Sequence, residues 1–382
     1  MSRIDCSIIR GGTSKGIYLD GAQLPAAGPE RDRAILEVFG SPDARQIDGL
    51  GGADKLTSKV AVMGAPTRSD CAIDYLFGQV GIELPRIDWT SNCGNLSAGA
   101  ALYAALRLPR PPDSGMAEVA IHQANTGCRL VALVPFQGGR PLEEGDFAIG
   151  GVPGTAARID LDYSDFAGAI LKRGLLPTGR PVDSIVVHGL GTLEVSIVDA
   201  ANLCLFVRAA DVGLDPRASV IELQRDGALV ARLEAIRAAS ARALGFLEGP
   251  GVEEELKTRV NPLLFAVAAP QDYAIPGGRV AGSDHDLLSR SIARGAFSKA
   301  YPATGSIATA AAAGMAGTIP AAFATPADPA AYELRIGHPG GTLAVAAGIE
   351  ASGTEPRLRR AVVGRTARLL MQGQVPLRNR AA

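Results

Sequence analysis

"CGNLSAGAALYAALRL", residues 93–108, carries a single charge, Arg107, and that one falls near its end. A helix lying on a protein surface keeps a polar face, so a helix without one is enclosed on all sides. The run opens on a glycine turn with Asn95 and Ser97, residue types that cap helix starts. Far downstream "TGSIATAAAAGMAGTI", residues 304–319, repeats the design: Thr, Gly and Ser first, then small residues with no charge. Two buried small-residue helices in one chain predict a duplicated architecture. The duplication lies in the pattern, because identity between the halves is weak.

Strand-like stretches surround each helix, punctuated by Gly, Pro and Asp. "CSIIR", "IYLD", "KVAVMG", "AIDYLFGQV", "VAIHQA" and "RLVALVPF" accompany the first. "SIVVHG", "EVSIVDA", "LCLFVRA", "LLFAVAAP", "YELRIGHPGG" and "TLAVAAGIE" accompany the second. Gly (46) plus Pro (25) make 71 of 382 residues, about 19% against a usual ~12%, which favours many turns between short strands. The fold class is therefore α+β, rich in strands. The Pro/Gly-bearing connector "LKRGLLPTGRPVDS" (171–184) is the expected boundary, dividing the chain into lobes 1–181 and 182–382. The remaining helical signals, 29–40, 219–244 and the tail "RTARLLMQGQ" (365–374), mix charged and apolar residues and are expected to be surface helices. The arginines of the tail are read as a solvated face.

Composition excludes several classes of function. Lys and Arg (38) balance Asp and Glu (39), with no like-charge block, so neither nucleic acid nor a membrane surface is an expected partner. A small charged ligand needs only a few local groups. No apolar span reaches membrane-crossing length and "MSRIDCSIIRGG" has no signal-peptide core, so a cytoplasmic protein is expected. Five scattered cysteines fit free thiols in a reducing compartment. Four well-separated histidines give no metal-ligand spacing, and no metal is expected. "RGGTSKG" (10–16) fails the phosphate-loop pattern, because Ser14 precedes Lys15 and Gly16 follows it. No G-x-G-x-x-G opens a βαβ unit, so a dinucleotide cofactor has no support.

Two reactive side chains stand out. Cys93 sits at the start of the first buried helix, where the helix dipole favours a thiolate. Cys6, Cys71, Cys128 and Cys204 lack that setting and read as small buried hydrophobes. Lys59 follows Thr57 and Ser58 and leads into "VAVM", at a strand edge where an apolar setting would favour a neutral amine able to act as a base. The alternatives are a solvated lysine and an inert thiol. The two helix starts themselves offer N–H groups suited to carboxylates, and the Thr13 and Ser14 hydroxyls join a glycine turn of the same kind.

Together, "IRGGTSKGIYL", "GSPDARQIDGLGGADKLTSKVAV" (40–62), "NCGNLSAGA" (92–100), "TGSIATAAAA" (304–313), "HPGG" (338–341) and "VGRTARLLMQG" (363–373) resemble the PrpF family over nearly the whole chain. The resemblance implies the diaminopimelate-epimerase-like fold: two similar lobes, each a curled sheet around a buried helix, with the active site in the cleft between them. It also implies cofactor-independent movement of a double bond in small unsaturated di- or tricarboxylates. Stretch 40–62 is most similar to 4-oxalomesaconate tautomerases; isomerisation of 2-methylaconitate or aconitate is the alternative, and a carboxylate binder without activity a further one. By the same resemblance Lys59 is the base and Cys93 the second acid/base group or a positioner. Thr13, Ser14, Ser58, Gly94, Asn95, Thr304, Gly305 and Ser306 would hold carboxylates, with Arg290 as a bidentate anchor. Ser298 stands where the family commonly has a histidine. Thr304-Gly305-Ser306 lacks the cysteine of two-thiol epimerases, which argues against an amino-acid racemase. A homodimer is compatible with all of this.

Overall fold

The computed structural model describes residues 3–350 and 355–378. The chain forms two compact units, one of Met1–Leu161 with Gly364–Ala382, the other of Asp162–Val363. The division falls earlier than the expected 181/182, and the end of the chain returns to the first unit instead of completing the second.

The frame of the first unit is built on the strands Arg3–Gly11, Ser14–Asp20, Lys59–Gly64, Ile73–Val80, Ser114–Gln123 and Cys128–Gln137. Successive pairs are antiparallel, parallel, antiparallel, parallel and antiparallel. A parallel step needs a crossover, and each crossover carries a helix: Pro29–Phe39 at the first, Gly94–Ala105 at the second. Alternation along the strands divides their side chains between two faces. Ile17, Leu19, Val60, Val62 and Val80 pack outward against Ile35, Leu36, Val38 and Phe39 of the first helix. The other face closes on Gly94–Ala105, every residue of which is buried. Here Gly99 is required, because a methyl at its Cα would overlap the Tyr18 hydroxyl, which donates to the Leu96 carbonyl at 2.8 Å.

The second unit repeats the order. Strands Gly191–Ala200, Asn202–Arg208, Leu263–Ala268, Leu287–Ala293, Tyr332–His338 and Gly341–Glu350 pair antiparallel, parallel, antiparallel, parallel, antiparallel. Its enclosed helix is Ala303–Ala313, again buried at every residue. Its outer face packs Leu205, Leu264, Ala266 and Ile292 against Leu229, Leu233 and Ile236. The duplication expected from the two helix sequences is thus a duplication of topology.

Three local expectations are corrected. The run 219–244 is two helices, Val220–Arg225 and Gly227–Ala243, separated at Asp226, whose carboxylate accepts from Leu229 N and starts the second. The tail is not helical: Arg357–Arg365 and Ala367–Pro376 are strands, and the latter pairs antiparallel with Arg3–Gly11. Backbone groups of the first strand capture it, and that long-range ladder overrides local pattern. Cys71 is only half-buried, whereas Cys6, Cys128 and Cys204 are buried as expected.

Candidate active site

Lys59 is the first residue of its strand and lies directly across from Gln79. Ala61 faces Phe77 and Met63 faces Tyr75 in the same register. Paired residues share a face and alternate residues return to it, so Lys59, Gln79, Phe77 and Tyr75 all project to the inner side. The start of Gly94–Ala105 lies on that side too, because the Tyr75 hydroxyl donates to the Cys93 carbonyl at 3.4 Å. Lys59 is only 8% exposed; its Nζ donates to Gln79 Oε1 at 2.6 Å and stands 5.1 Å from the centre of the Phe77 ring.

Cys93 is the cap residue of that helix, in extended conformation, and its side chain makes no capping hydrogen bond. Its carbonyl instead accepts from the Ser97 amide and hydroxyl, each at 3.0 Å. The sulfur is therefore not consumed by the fold. The first-turn N–H groups have no partners within the helix. Burial pushes the Tyr18 phenol well up, with Cys93 adding to the effect, so Tyr18 stays a neutral donor inside the unit.

The glycine turn closes on the same helix start. Asn95 Nδ2 donates to Thr13 Oγ1 at 2.9 Å and to Ser14 Oγ at 3.3 Å. Gly11 lies against the Asn95 carbonyl and Gly12, at φ +49°, against the Asn95 amide, so neither tolerates a side chain. Thr13, Ser14, Cys93, Gly94 and Asn95 are thus brought together, with Lys59 on the same side of the sheet. Arg365, read from the sequence as solvated, is 2% exposed, and its stem adjoins Gly12.

Ser58 is different. Its hydroxyl donates to Gln46 Oε1 at 2.7 Å, and the same oxygen accepts from Ala53 N. Gln46 is buried at the centre of the loop that the glycines of "DGLGGAD" wrap, so Ser58 braces the approach to Lys59.

The second unit places four more residues. Thr304 Oγ1 accepts from Asn202 Nδ2 at 2.7 Å, Ser306 donates to the Ala303 carbonyl at 2.7 Å, and Gly305 makes room for the Phe265 ring. What these residues leave for an anion is the N–H end of Ala303–Ala313. Arg290 does not point toward the enclosed helix. Its neighbour Ser289 accepts from the Tyr301 hydroxyl, itself bonded to Thr309 of the enclosed helix, so Ser289 faces inward. Arg290 therefore faces outward, donating to the carbonyls of Ala218 at 3.4 Å and Ser289 at 3.0 Å beside the Tyr273 ring. Burial pushes its guanidinium down to about 10, with Tyr273 and Asp215 opposing, so it remains charged at neutral pH. Ser298 N donates to the Ser291 carbonyl.

Among the described residues, no group of three or more His, Cys, Asp or Glu side chains is placed to hold a metal ion, and no helix is long and apolar enough to cross a membrane. Sequence reasoning missed Gln79, Gln46 and Arg365. A buried polar side chain, whether in a strand or a loop, gives no local signal of what it faces.

The duplicated strand order, with an enclosed helix in each unit, defines an epimerase-like fold. The solved structure of a hydroxyproline epimerase from Agrobacterium vitis shares that fold at 10% identity, TM-score 0.58, over 98% of this chain and 91% of that one. The family model described as PrpF protein matches residues 1–378, and the chain belongs to the PrpF family. It is 40% identical to a 3-methylitaconate isomerase from Eubacterium barkeri, covering 98% of this chain and 97% of that one. It is 36% identical to a 2-methyl-aconitate isomerase from Shewanella oneidensis and 36% to a 4-oxalomesaconate tautomerase from Pseudomonas putida, each over 98% of this chain and 96% of the relative. A crystal structure of methylitaconate-delta-isomerase superposes with TM-score 0.79 at 40% identity, over 98% and 95% of the two chains.

Proposed function

We propose that this chain is a cofactor-independent isomerase that moves a carbon–carbon double bond by proton transfer in a small unsaturated di- or tricarboxylate. The observation that carries the reading is the position of Lys59, buried on the inner sheet face that also receives the start of Gly94–Ala105. A carbon flanked by a double bond and a carboxylate or keto group is weakly acidic. In the neutral form, the Lys59 amine takes that proton, and the electron pair delocalises into a dienolate. Negative charge then collects on oxygens, where N–H groups at the helix start, with the Asn95, Thr13 and Ser14 cluster, are suited to hold it. A proton returns at the far carbon, either from Lys59, which regenerates the free amine, or from Cys93, whose thiolate is then reprotonated by the Lys59 ammonium, and the double bond has moved. Atoms and charge balance without a redox step.

The substrate we favour is 4-oxalomesaconate, on the likeness of stretch 40–62. The 40% identity to a 3-methylitaconate isomerase supports a second reading, a substituted itaconate, and 2-methylaconitate follows it. The deciding experiment is proton NMR of the purified protein in D₂O with 4-oxalomesaconate, 3-methylitaconate, 2-methylaconitate and cis-aconitate in separate tubes. Deuterium entering an allylic carbon as the double bond moves is the expected result, and the acid turned over fastest is the substrate. A folded protein that leaves all four unchanged would overturn the isomerase reading in favour of carboxylate binding.

A further inference from the structure

Gln79 is 3% exposed and lies directly across from Lys59. Its Nε2 donates to two backbone carbonyls, Ser58 at 2.9 Å and Lys55 at 3.2 Å. Only the NH₂ end of an amide can serve carbonyl acceptors, so those two bonds decide which way the group is turned. Its Oε1 is thereby aimed at Lys59 Nζ, which donates to it at 2.6 Å. The amine is thus met by an acceptor of fixed direction that carries no charge, with the Phe77 ring beside it.

We propose that Gln79 is the positioning residue of Lys59: its backbone-locked amide sets where the amine points and keeps the place opposite it uncharged. This rests on the reading of Lys59 as the base. A carboxylate at the same place would hold the ammonium form and raise the pH at which a free amine becomes available. The titratable groups on that face include Asp5 of Arg3–Gly11, Tyr18 and Asp20 of Ser14–Asp20, Tyr75 of Ile73–Val80, Asp88 across from Gln79, Cys128 of Cys128–Gln137, and Cys93 and Tyr103 of the enclosed helix. Asp54 and Lys55 come from the preceding turn. The Asp88 carboxylate accepts from the Thr90 amide and hydroxyl, and Asp54 Oδ1 accepts from Leu56 N. None of these changes between the variants compared below.

The test compares Gln79→Glu, Gln79→Met and Lys59→Met with the unaltered protein. The readouts are the pH profile of kcat/KM on the acid that turns over, and a ¹³Cε-lysine NMR titration, tractable because the chain has six lysines. Gln79→Glu should move the rising limb of the profile, and the Lys59 resonance with it, up by about 1–2 pH units, a loss of about 10- to 100-fold at pH 7 that recovers as pH rises. Gln79→Met should lower kcat with KM held and no upward movement of the limb. A limb and resonance that stay in place in folded Gln79→Glu would overturn the proposal, and equal losses in both Gln79 variants at every pH would reduce Gln79 to a structural role. If Gln79→Glu does not fold, Gln79→Met decides: unchanged kcat overturns the proposal, and a fall of about tenfold or more with KM held supports it. Lys59→Met separates the two layers. Retained turnover there removes Lys59 as the base whatever Gln79 does, whereas loss there beside an unmoved limb in Gln79→Glu removes only the role of Gln79.

Discussion

The two units repeat one frame and fill one of its corners differently. In each, the first hairpin turn bonds to the second residue of the enclosed helix: Thr13 and Ser14 to Asn95, Asn202 to Thr304. Anchored there, the registers equate Ser14 with Asn202, Tyr18 with Phe206, Ala61 with Phe265 and Lys59 with Leu263. Gln79 corresponds to Ala293, and the cap residue Cys93 to Pro302. The first unit thus carries an amine, its amide partner and a thiol where the second carries leucine, alanine and proline. A leucine in that position is buried at 4% exposure and needs no partner, whereas a lysine in the same kind of position does. Shared packing holds the frame in both units, and the proposed chemistry belongs to one.

Lys59→Leu makes the first unit match the second at this corner and carries the largest expected effect. Loss of a positioned base should lower kcat/KM by about 10²–10⁴-fold. Circular dichroism should stay native, because Leu263 already occupies the equivalent place. Allylic deuterium exchange measured by NMR is the readout, and near-normal exchange in the folded variant would end the contrast drawn between the units.

The contrast was partly legible in sequence. Charge-free runs at 93–106 and 304–319 announced both enclosed helices, because absence of a polar face is a local property. Residue type beside a glycine turn and a helix start singled out Lys59 and Cys93, but left a solvated lysine and an inert thiol open; the roles proposed for them come from the resemblance to the PrpF family. What stayed hidden depends on register. Gln79 meets Lys59 only because two strands pair at that offset, and Arg290 faces away from the enclosed helix only because its neighbour Ser289 faces toward it. The tail 365–374 read as a helix because its ladder partner, Arg3–Gly11, lies at the opposite end of the chain. No window of local sequence contains that partner.

A second comparison concerns packing. Counting from the shared anchor, Gly99 corresponds to Ala308, and Tyr18 to Phe206. The first unit pairs glycine with a hydroxyl, the second alanine with a bare ring. Gly99→Ala should therefore cost about 1–3 kcal/mol by overpacking against the Tyr18 hydroxyl. Tyr18→Phe alone should cost about 1 kcal/mol for the lost bond to the Leu96 carbonyl. Together they reproduce the arrangement of the second unit, so the double variant should be more stable than the sum of the single losses predicts. Urea unfolding of the four proteins gives the coupling; strict additivity would show that the two sites do not compete for the same space.

Arg290 gives the smallest effect on activity and the sharpest test of register. A guanidinium that faced the enclosed helix would hold substrate, and its loss would raise KM. The observed side chain donates to the carbonyls of Ala218 and Ser289 and lies beside Tyr273, on the outward face. Arg290→Met should therefore lower unfolding free energy by about 1–3 kcal/mol, the range expected when a buried hydrogen-bonded charge is removed and its acceptors lose a donor. KM should stay within about twofold, since about 0.4 kcal/mol of binding is all that such a change represents. A rise in KM of tenfold or more at unchanged stability would mean that the guanidinium reaches the substrate in the working enzyme. In that case the outward register of Leu287–Ala293 would not describe the bound state, and the equivalence of Gln79 with Ala293, which rests on the same register, would have to be redrawn.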